Sequence, residues 1–390
     1  MQPSFRPDIL RLRPSPLAEI AALGRDDPEV LALWFGEGDE PTAAFIREAA
    51  KRALDAGRTF YTPPRGLPEL RRAIAQSYRT THGIAIDPER ITVPGSSMLA
   101  LHIACRTVLA PGDELLVLAP FWPNLRFAAE LAGARVREVP LRRGETRWEL
   151  DVEALARAVT PHTRALYVNS PANPSGWVMN AAEREALLDF CRSHRLAVLA
   201  DEVYERVVFS DEPAAPSLLA AMEEEEPLFA VGGFSKAWAM TGWRVGWLVH
   251  PPELAPAMAV LAEVHNTSAT SFVQYAALAA LEEEGETFIA RLRARLVHNR
   301  ALVMELLGDH PRVELLSPEG AFYAFPRIAG IRDSVAFCRL LLRRSKVGLA
   351  PGSAFGRGFH DYVRLCFALS PERLREALLR LRSALDDRRP

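Results

Sequence analysis

Lys236 stands in Gly233-Phe234-Ser235-Lys236, directly after the apolar run Leu228 to Gly232. A lysine just past the carboxyl end of a buried strand lies where open α/β sheets keep their ligands. Eight residues on is Arg244, in Thr241-Gly242-Trp243-Arg244-Val245-Gly246. Ser235, Lys236 and Arg244 together offer a hydroxyl, an amine and a fork of donors, a set suited to a phosphate beside a Schiff base. Taken alone the lysine reads as an ordinary surface residue, so the case depends on its company.

That company stands at four other strand ends. Asp201-Glu202-Val203-Tyr204 follows the apolar Leu196 to Ala200; an acid there is a helix cap, a metal ligand, or a carboxylate kept ionised by a permanent cation such as a protonated pyridine nitrogen. No His or Cys cluster with metal spacing accompanies it, which weakens the metal reading. Asn169-Ser170-Pro171-Ala172-Asn173-Pro174-Ser175-Gly176 is a tight turn or a rigid loop that fixes an amide. Pro94-Gly95-Ser96-Ser97, before the helical stretch Met98 to Val108, is a plain helix start or a nest of free N–H groups for an anion. Ala119-Pro120-Phe121-Trp122-Pro123-Asn124 supplies core aromatics or a face for a flat ring. Each segment is weak alone. Their co-occurrence decides, because one flat, anionic, carbonyl-bearing cofactor needs all five groups.

The elements that must position them are short apolar runs alternating with amphipathic stretches from about Ile91 to Val249: Glu114 to Ala119, Arg164 to Val168, Leu196 to Ala200, Leu228 to Gly232 and Arg244 to Val249. Without period-two alternation they read as parallel strands covered on both faces, hence an α/β fold. Between two of them Asn180 caps a helix, with Glu183 three positions on and Leu187, Leu188 and Cys191 on one face. The last hundred residues lack this rhythm: a long helix through Phe288 to Leu307, short strands near Gly320 to Phe325 and Tyr362 to Phe367, and a final helix from Ser370 with Leu374, Leu378, Leu381 and Leu385 on one face. They predict a second, smaller α+β unit.

Composition narrows the partners. A chain of 390 residues, 49% hydrophobic, buries a large core. A formal net charge of −2 provides no field for nucleic acid or an anionic membrane, so small molecules are the expected partners. Cys105, Cys191, Cys338 and Cys366 are scattered, as reduced thiols would be. Arg6, Pro7 and Asp8 occupy the place of a secretory leader's apolar stretch, and no run approaches the length of a membrane span; the expectation is cytoplasmic.

From about residue 35 to 370 the sequence resembles fold-type I pyridoxal-phosphate enzymes, specifically class I/II aminotransferases akin to aspartate, aromatic and alanine aminotransferases. The residues that carry the resemblance are S-K-x-x-x-x-x-x-x-R from Ser235, N-P-x-G from Asn173 and D-x-x-Y from Asp201, in the family's order. Phe60-Tyr61-Thr62-Pro63-Pro64-Arg65-Gly66-Leu67-Pro68 adds a further family segment. The resemblance implies a mainly parallel seven-stranded sheet flanked by helices, with a large domain over 45–280, a small C-terminal domain over 281–390, and residues 1–44 as an arm and part of the small domain. It implies that Lys236 holds pyridoxal 5'-phosphate as an imine, Asp201 pairs with the pyridine nitrogen, Tyr204 and Asn173 meet the phenolic oxygen, and Trp122 stacks on the ring. The phosphate would be held by Ser96, Ser97, Ser235 and Arg244, and by Tyr61 of a second subunit, making a homodimer with shared sites. Arg364, in Tyr362-Val363-Arg364-Leu365, would clamp the substrate α-carboxylate, with Gly36 on its other side and Asn173 beside it.

The implied activity is ping-pong transfer of an amino group between an L-amino acid and a 2-oxo acid, with Lys236, Asp201 and Tyr204 catalytic. Relatives specific for dicarboxylates carry a lysine after the Gly-rich turn where this chain has Ser97, and His265 to Ser271 contains no arginine; neutral or aromatic substrates are favoured. Two other readings stay open at this point. One is a C–S lyase or aminocyclopropane-carboxylate-synthase-like enzyme using the same carbanion; the other is a pyridoxal-phosphate-sensing regulator domain, disfavoured because only about thirty residues precede the resemblance.

Overall fold

The computed structural model describes residues 5, 9–10 and 12–387. Arg6 to Asp8, which carry the expectation about a leader, lie outside them. Seven strands form the central sheet: β1 (Ile91–Gly95), β2 (Glu114–Ala119), β3 (Arg135–Pro140), β4 (Thr163–Asn169), β5 (Ala197–Asp201), β6 (Leu228–Gly233) and β7 (Gly246–Val249). Their spatial order is β1-β7-β6-β5-β4-β2-β3. Every residue of β1, β2, β5, β6 and β7 is buried, which is why these strands are apolar runs rather than alternating ones. Two strands are not announced that way: β3 is an exposed edge bearing Arg135, Arg137 and Glu138, and β1 contains Pro94.

The pairs β3–β2, β2–β4, β4–β5 and β5–β6 are parallel. The run Arg244 to Val249 departs from the parallel expectation: β7 starts only at Gly246 and runs antiparallel to both β6 and β1. Burial on both faces fixes composition, not direction, so the apolar run could not reveal this. The reversal puts the start of β7 at the edge where its neighbours end. Arg244, two residues before that start and in left-handed backbone (φ 56), therefore joins the residues at the carboxyl ends of β6 and β5.

Helices flank the sheet; the helix Ser97–Val108 packs against β1, β5, β6 and β7. The helix Ala181–His194 starts with the expected capping box. Asn180 Oδ1 accepts from the Glu183 N–H at 2.9 Å, and Glu183 Oε2 accepts from the Asn180 N–H at 3.0 Å. Such a cap contributes about 1 kcal/mol, and Leu187, Leu188 and Cys191 are buried as the spacing requires.

Beyond the sheet, a 25-residue helix, Glu283–Leu307, packs against the last helix, Pro371–Asp386. The stripe Leu374, Leu378, Leu381 and Leu385 is fully buried there, each side chain contributing roughly 1.5–3 kcal/mol. A three-stranded antiparallel sheet has Val363–Cys366 in the middle, between Tyr323–Ala324 and Ala350–Pro351. The N-terminal segment joins this part of the molecule: Leu31–Ala32 pairs in parallel with Val347–Gly348, and the helix Pro16–Gly24 packs against Ser334–Ser345. All four cysteines are buried and free. Among the described residues no helix is long and apolar enough to cross a membrane.

Candidate active site

The strand order brings the chemistry-bearing segments to one edge of the sheet. β1, β6, β5, β4 and β2 deliver Ser97, Ser235 with Lys236, Asp201 with Tyr204, Asn173 and Trp122, while the start of β7 adds Arg244. These residues line one cavity of about 350 Å³, joined by Gly36 from the N-terminal segment and Arg364 from the small sheet. A volume near 300–1,000 Å³ with a few convergent polar groups is that of a small-molecule site.

Lys236 is half-buried, and its Nζ donates to the carbonyl of Gly36 at 2.7 Å. Burial pulls the ammonium from its ordinary range down to about 8; Arg364 and Arg244 push the same way, and Cys366 and Glu37 oppose. The amine is thus close to its neutral, nucleophilic form near physiological pH.

Asp201 ends β5 and is buried. The Tyr167 hydroxyl donates to its Oδ2 at 2.8 Å and the Val203 N–H to its Oδ1 at 3.3 Å. Burial raises its carboxyl above the ordinary range, while the Tyr167 and Val203 hydrogen bonds and the charge of Lys236 pull it back. A buried carboxylate to which no cation is hydrogen-bonded among the described residues suits a ligand that brings a positive nitrogen. On β4, Asn169 Nδ2 donates to the Asp201 carbonyl at 2.8 Å, and Asn169 Oδ1 accepts from the Asn173 N–H at 2.8 Å, which fixes the loop carrying Asn173.

Arg364, on the central small strand, is almost fully buried. Its Nη1 donates to Asn173 Oδ1 at 2.8 Å and its Nη2 to the Trp34 carbonyl, while Nε has no partner among the described residues. The guanidinium lies 4.5 Å from the Tyr323 ring centre and 4.9 Å from that of Phe355. Set against two rings and anchored at both ends, it is a rigid fork with no carboxylate partner among the described residues, ready for a planar anion.

At the opposite side Ser96 caps the helix Ser97–Val108, its Oγ accepting from the Leu99 N–H at 3.2 Å. Ser97 Oγ donates to the Gly232 carbonyl at 2.9 Å. A Cβ on Gly246 would lie 2.4 Å from that oxygen, so only glycine lets the strand pass. The proton of Ser97 is committed to the sheet, and what this helix start offers an anion is its backbone N–H groups. Arg244 Nη1 donates to the Thr241 carbonyl at 2.7 Å.

Ten of the residues expected from sequence line the cavity: Gly36, Ser97, Trp122, Asn173, Asp201, Tyr204, Ser235, Lys236, Arg244 and Arg364. Ser96 serves as the helix cap behind it, and Tyr61 is 87% exposed, outside it. Sequence reasoning placed Asn169 in the strand-end loop without giving it a role of its own, and did not single out Tyr167 or Tyr323. Tyr167 carries a usable signal, a lone tyrosine in an apolar strand two residues before Asn169 and so on the same face. Tyr323 carries none, since its hydroxyl partner, Tyr204, is 119 positions away.

The donor set fits pyridoxal phosphate. Helix start, guanidinium and hydroxyl gather at β1, β7 and β6, an amine stands beside them, and the buried Asp201 carboxylate follows on β5. The comparisons with known proteins agree. The family described as aminotransferase class I and II matches residues 30–381. A probable aspartate/prephenate aminotransferase of Aquifex aeolicus is 34% identical, covering 97% of this chain and 98% of that protein. Aromatic-amino-acid aminotransferase 2 of Thermococcus litoralis is 35% identical, covering 97% of each. The structure of Thermus thermophilus aspartate aminotransferase with maleate superposes with a TM-score of 0.89 at 34% identity, over 98% of this chain and 100% of that one. The chain belongs to the class I and II aminotransferases. It is accordingly a pyridoxal-phosphate-dependent transferase of fold type I, acting on amino acids and oxo acids.

Proposed function

We propose that this enzyme transfers the amino group of an L-amino acid with a neutral or aromatic side chain to a 2-oxo acid, with Lys236 as the residue that binds the cofactor and moves the proton. The observation that carries the reading is the meeting of the Lys236 amine, the Asp201 carboxylate and the Arg364 fork around one cavity.

The bound cofactor supplies an electron-withdrawing ring that acidifies the substrate Cα–H. Asp201 would keep the ring nitrogen positive, Tyr204 and Asn173 would meet the phenolic oxygen, and Trp122 would cover a face of the ring. Ser235, Arg244 and the N–H groups at Ser97 would hold the phosphate, with Ser96 fixing that helix start. Arg364 would take the α-carboxylate bidentately, beside Asn173 and Gly36, and so set which bond at Cα is broken. Lys236, as a free amine, would be the base that carries the Cα proton to the acceptor carbon. With a second oxo acid the same residues would act in the reverse direction, Arg364 holding its carboxylate and Lys236 returning the proton to Cα.

The lowered amine gives a pH prediction. Uptake of pyridoxal phosphate by the apoenzyme should accelerate as pH rises and level off above about 8, where Lys236 is neutral. Stopped-flow absorbance between pH 6 and 10.5 reads this; a rate still climbing as for an unperturbed lysine, to about pH 10.4, would contradict it.

Substrate choice follows from the cations. Among the described residues, the cationic side chains lining the cavity are Lys236, Arg244 and Arg364, each with a role above, and the remaining wall includes Leu17, Phe35, Met98 and Leu101. A second carboxylate would lie unpaired beside apolar groups, a cost of about 1–3 kcal/mol. In half-reactions followed at the cofactor absorbance, phenylalanine or leucine should exceed aspartate in kcat/KM by about tenfold or more, this cost being converted at 1.4 kcal/mol per decade. Aspartate as the fastest donor sinks the preference.

The same reading takes the site to be completed in a homodimer by Tyr61, whose exposure beside Phe60 (87% and 83%) suits a surface meant to be covered. It places the enzyme in the cytoplasm. It also divides the chain at 45–280 and 281–390, with residues 1–44 an arm and part of the small domain, an assignment supported by the pairing of Leu31–Ala32 with Val347–Gly348.

A further inference from the structure

We infer that Tyr323 is a positioning residue for this reaction: its hydroxyl donates to Tyr204, freeing the Tyr204 proton for the cofactor's anionic ring oxygen, while its ring supports Arg364. The inference rests on the reading above that Tyr204 faces that oxygen.

Tyr204 and Tyr323 are both buried, 3% and 0% exposed, with hydroxyl oxygens 2.5 Å apart and rings edge to face at 5.6 Å. Each phenol has one proton, and a single contact uses one of the two. The other must find an acceptor. Among the described residues, the Tyr204 hydroxyl has no hydrogen-bond partner other than Tyr323, and Tyr204 lines the cavity. An anionic oxygen facing Tyr204 is a stronger acceptor than a phenol, so Tyr204 donates its hydrogen bond to it and the tyrosine pair reverses direction. Tyr323 then donates to Tyr204, and two donors in series polarise each other.

The backbone holds Tyr323 in place for this. It is paired with Cys366 on the strand that carries Arg364, and its ring lies 4.5 Å from the guanidinium. Its hydroxyl fills the space beside Gly36, where a Cβ would come within 1.8 Å of it. One side chain thus touches the carboxylate clamp, the partner of the ring oxygen, and the glycine whose carbonyl receives Lys236. The charged and titratable groups around the tyrosine pair are Arg364 and Cys366 on the small sheet, Glu37 on the N-terminal segment, Asp201 on β5 and Lys236 after β6.

A donor to the phenolic oxygen drains the negative charge that otherwise retains the proton on the neighbouring imine nitrogen. Losing a donor therefore moves the titration of the visible cofactor band to higher pH. In the loaded enzyme, Tyr323→Phe, which removes one oxygen atom and keeps the ring, should raise that midpoint by about half a pH unit. Tyr204→Phe should raise it by about 1–2 units, the worth of a hydrogen bond to a charged group. The double variant should match Tyr204→Phe alone, because the outer donor acts only through the inner one. Tyr323→Leu should in addition raise KM for the amino acid about tenfold by removing the ring under Arg364, whereas Tyr323→Phe leaves KM near wild type. Gly36→Ala is a second variant that displaces the hydroxyl without deleting it, and should move the midpoint in the same direction.

Thermal unfolding separates loss of fold from loss of positioning, since a purely structural role would lower the melting temperature and leave the midpoint in place. An unmoved midpoint in Tyr323→Phe, with Tyr204→Phe shifted, overturns this inference alone. An unmoved midpoint in Tyr204→Phe overturns the assignment of Tyr204 as well. Additive shifts in the double variant would show that Tyr323 acts independently, which also overturns it.

Discussion

Lys236→Ala is expected to lower kcat for transamination by at least roughly 10²–10⁴-fold, the usual worth of a positioned acid–base group, with further loss from the missing covalent anchor. No neighbour can take over. The nearest cationic groups are arginines, and a guanidinium does not give up a proton in the working range. Asp201 is engaged by Tyr167 and Val203, and Tyr204 by Tyr323. Binding of the cofactor should persist, more weakly, because Ser235, Arg244 and the helix start at Ser97 do not depend on the amine. Borohydride reduction of the loaded wild type followed by peptide mapping should place the label on Lys236, and the variant should give none. Turnover within tenfold of wild type, or a label on another lysine, would refute the assignment of this residue.

The second large effect concerns charge. Asp201→Asn keeps the shape and keeps an oxygen for the Tyr167 hydroxyl, but removes the negative charge from a buried position on β5. Taking away one partner of a buried ion pair costs about 3–5 kcal/mol, which corresponds to roughly 10²–10⁴-fold in kcat if the pair exists only with the protonated ring. Cofactor affinity should fall in the same direction. Tyr167→Phe is the calibrating control: it deletes one hydrogen bond to the same carboxylate and should cost about 1 kcal/mol, less than tenfold. Single-turnover kinetics and a cofactor titration on both variants give the comparison. Asp201→Asn with near-normal turnover would mean that the carboxylate does not serve the ring.

Most of the site could be read from the chain because it is built from local motifs at strand ends. Lys236 follows, and Asp201 ends, a strand that burial makes apolar, so the strand marks the position and the polar residue at its end marks the chemistry, while Asn173 stands four residues past the mostly buried β4. Asn180 and Glu183 were legible for a similar reason, a cap being a contact between residues three apart. What was not legible depends on long-range pairing. The direction of β7 is decided by its neighbours β1 and β6, and an apolar tetrapeptide buried on both faces is the same in either direction. β3 escapes an apolar search because it is the solvent edge of the sheet. Tyr323 meets Tyr204 only because its strand is paired with the one carrying Arg364. The direction of the Ser97 hydroxyl has a steric cause that the sequence does not announce: the bare backbone of Gly246 leaves room for it to donate to the Gly232 carbonyl.

The amine of Lys236 is received by a main-chain oxygen, at a residue whose missing side chain leaves room for a phenol. A contact made by the peptide unit itself cannot be deleted by changing a side chain, yet any side chain larger than hydrogen at position 36 would collide with its neighbour. In a saturation library of residues 33–38 selected for growth on the product, this codon should therefore return to a single amino acid.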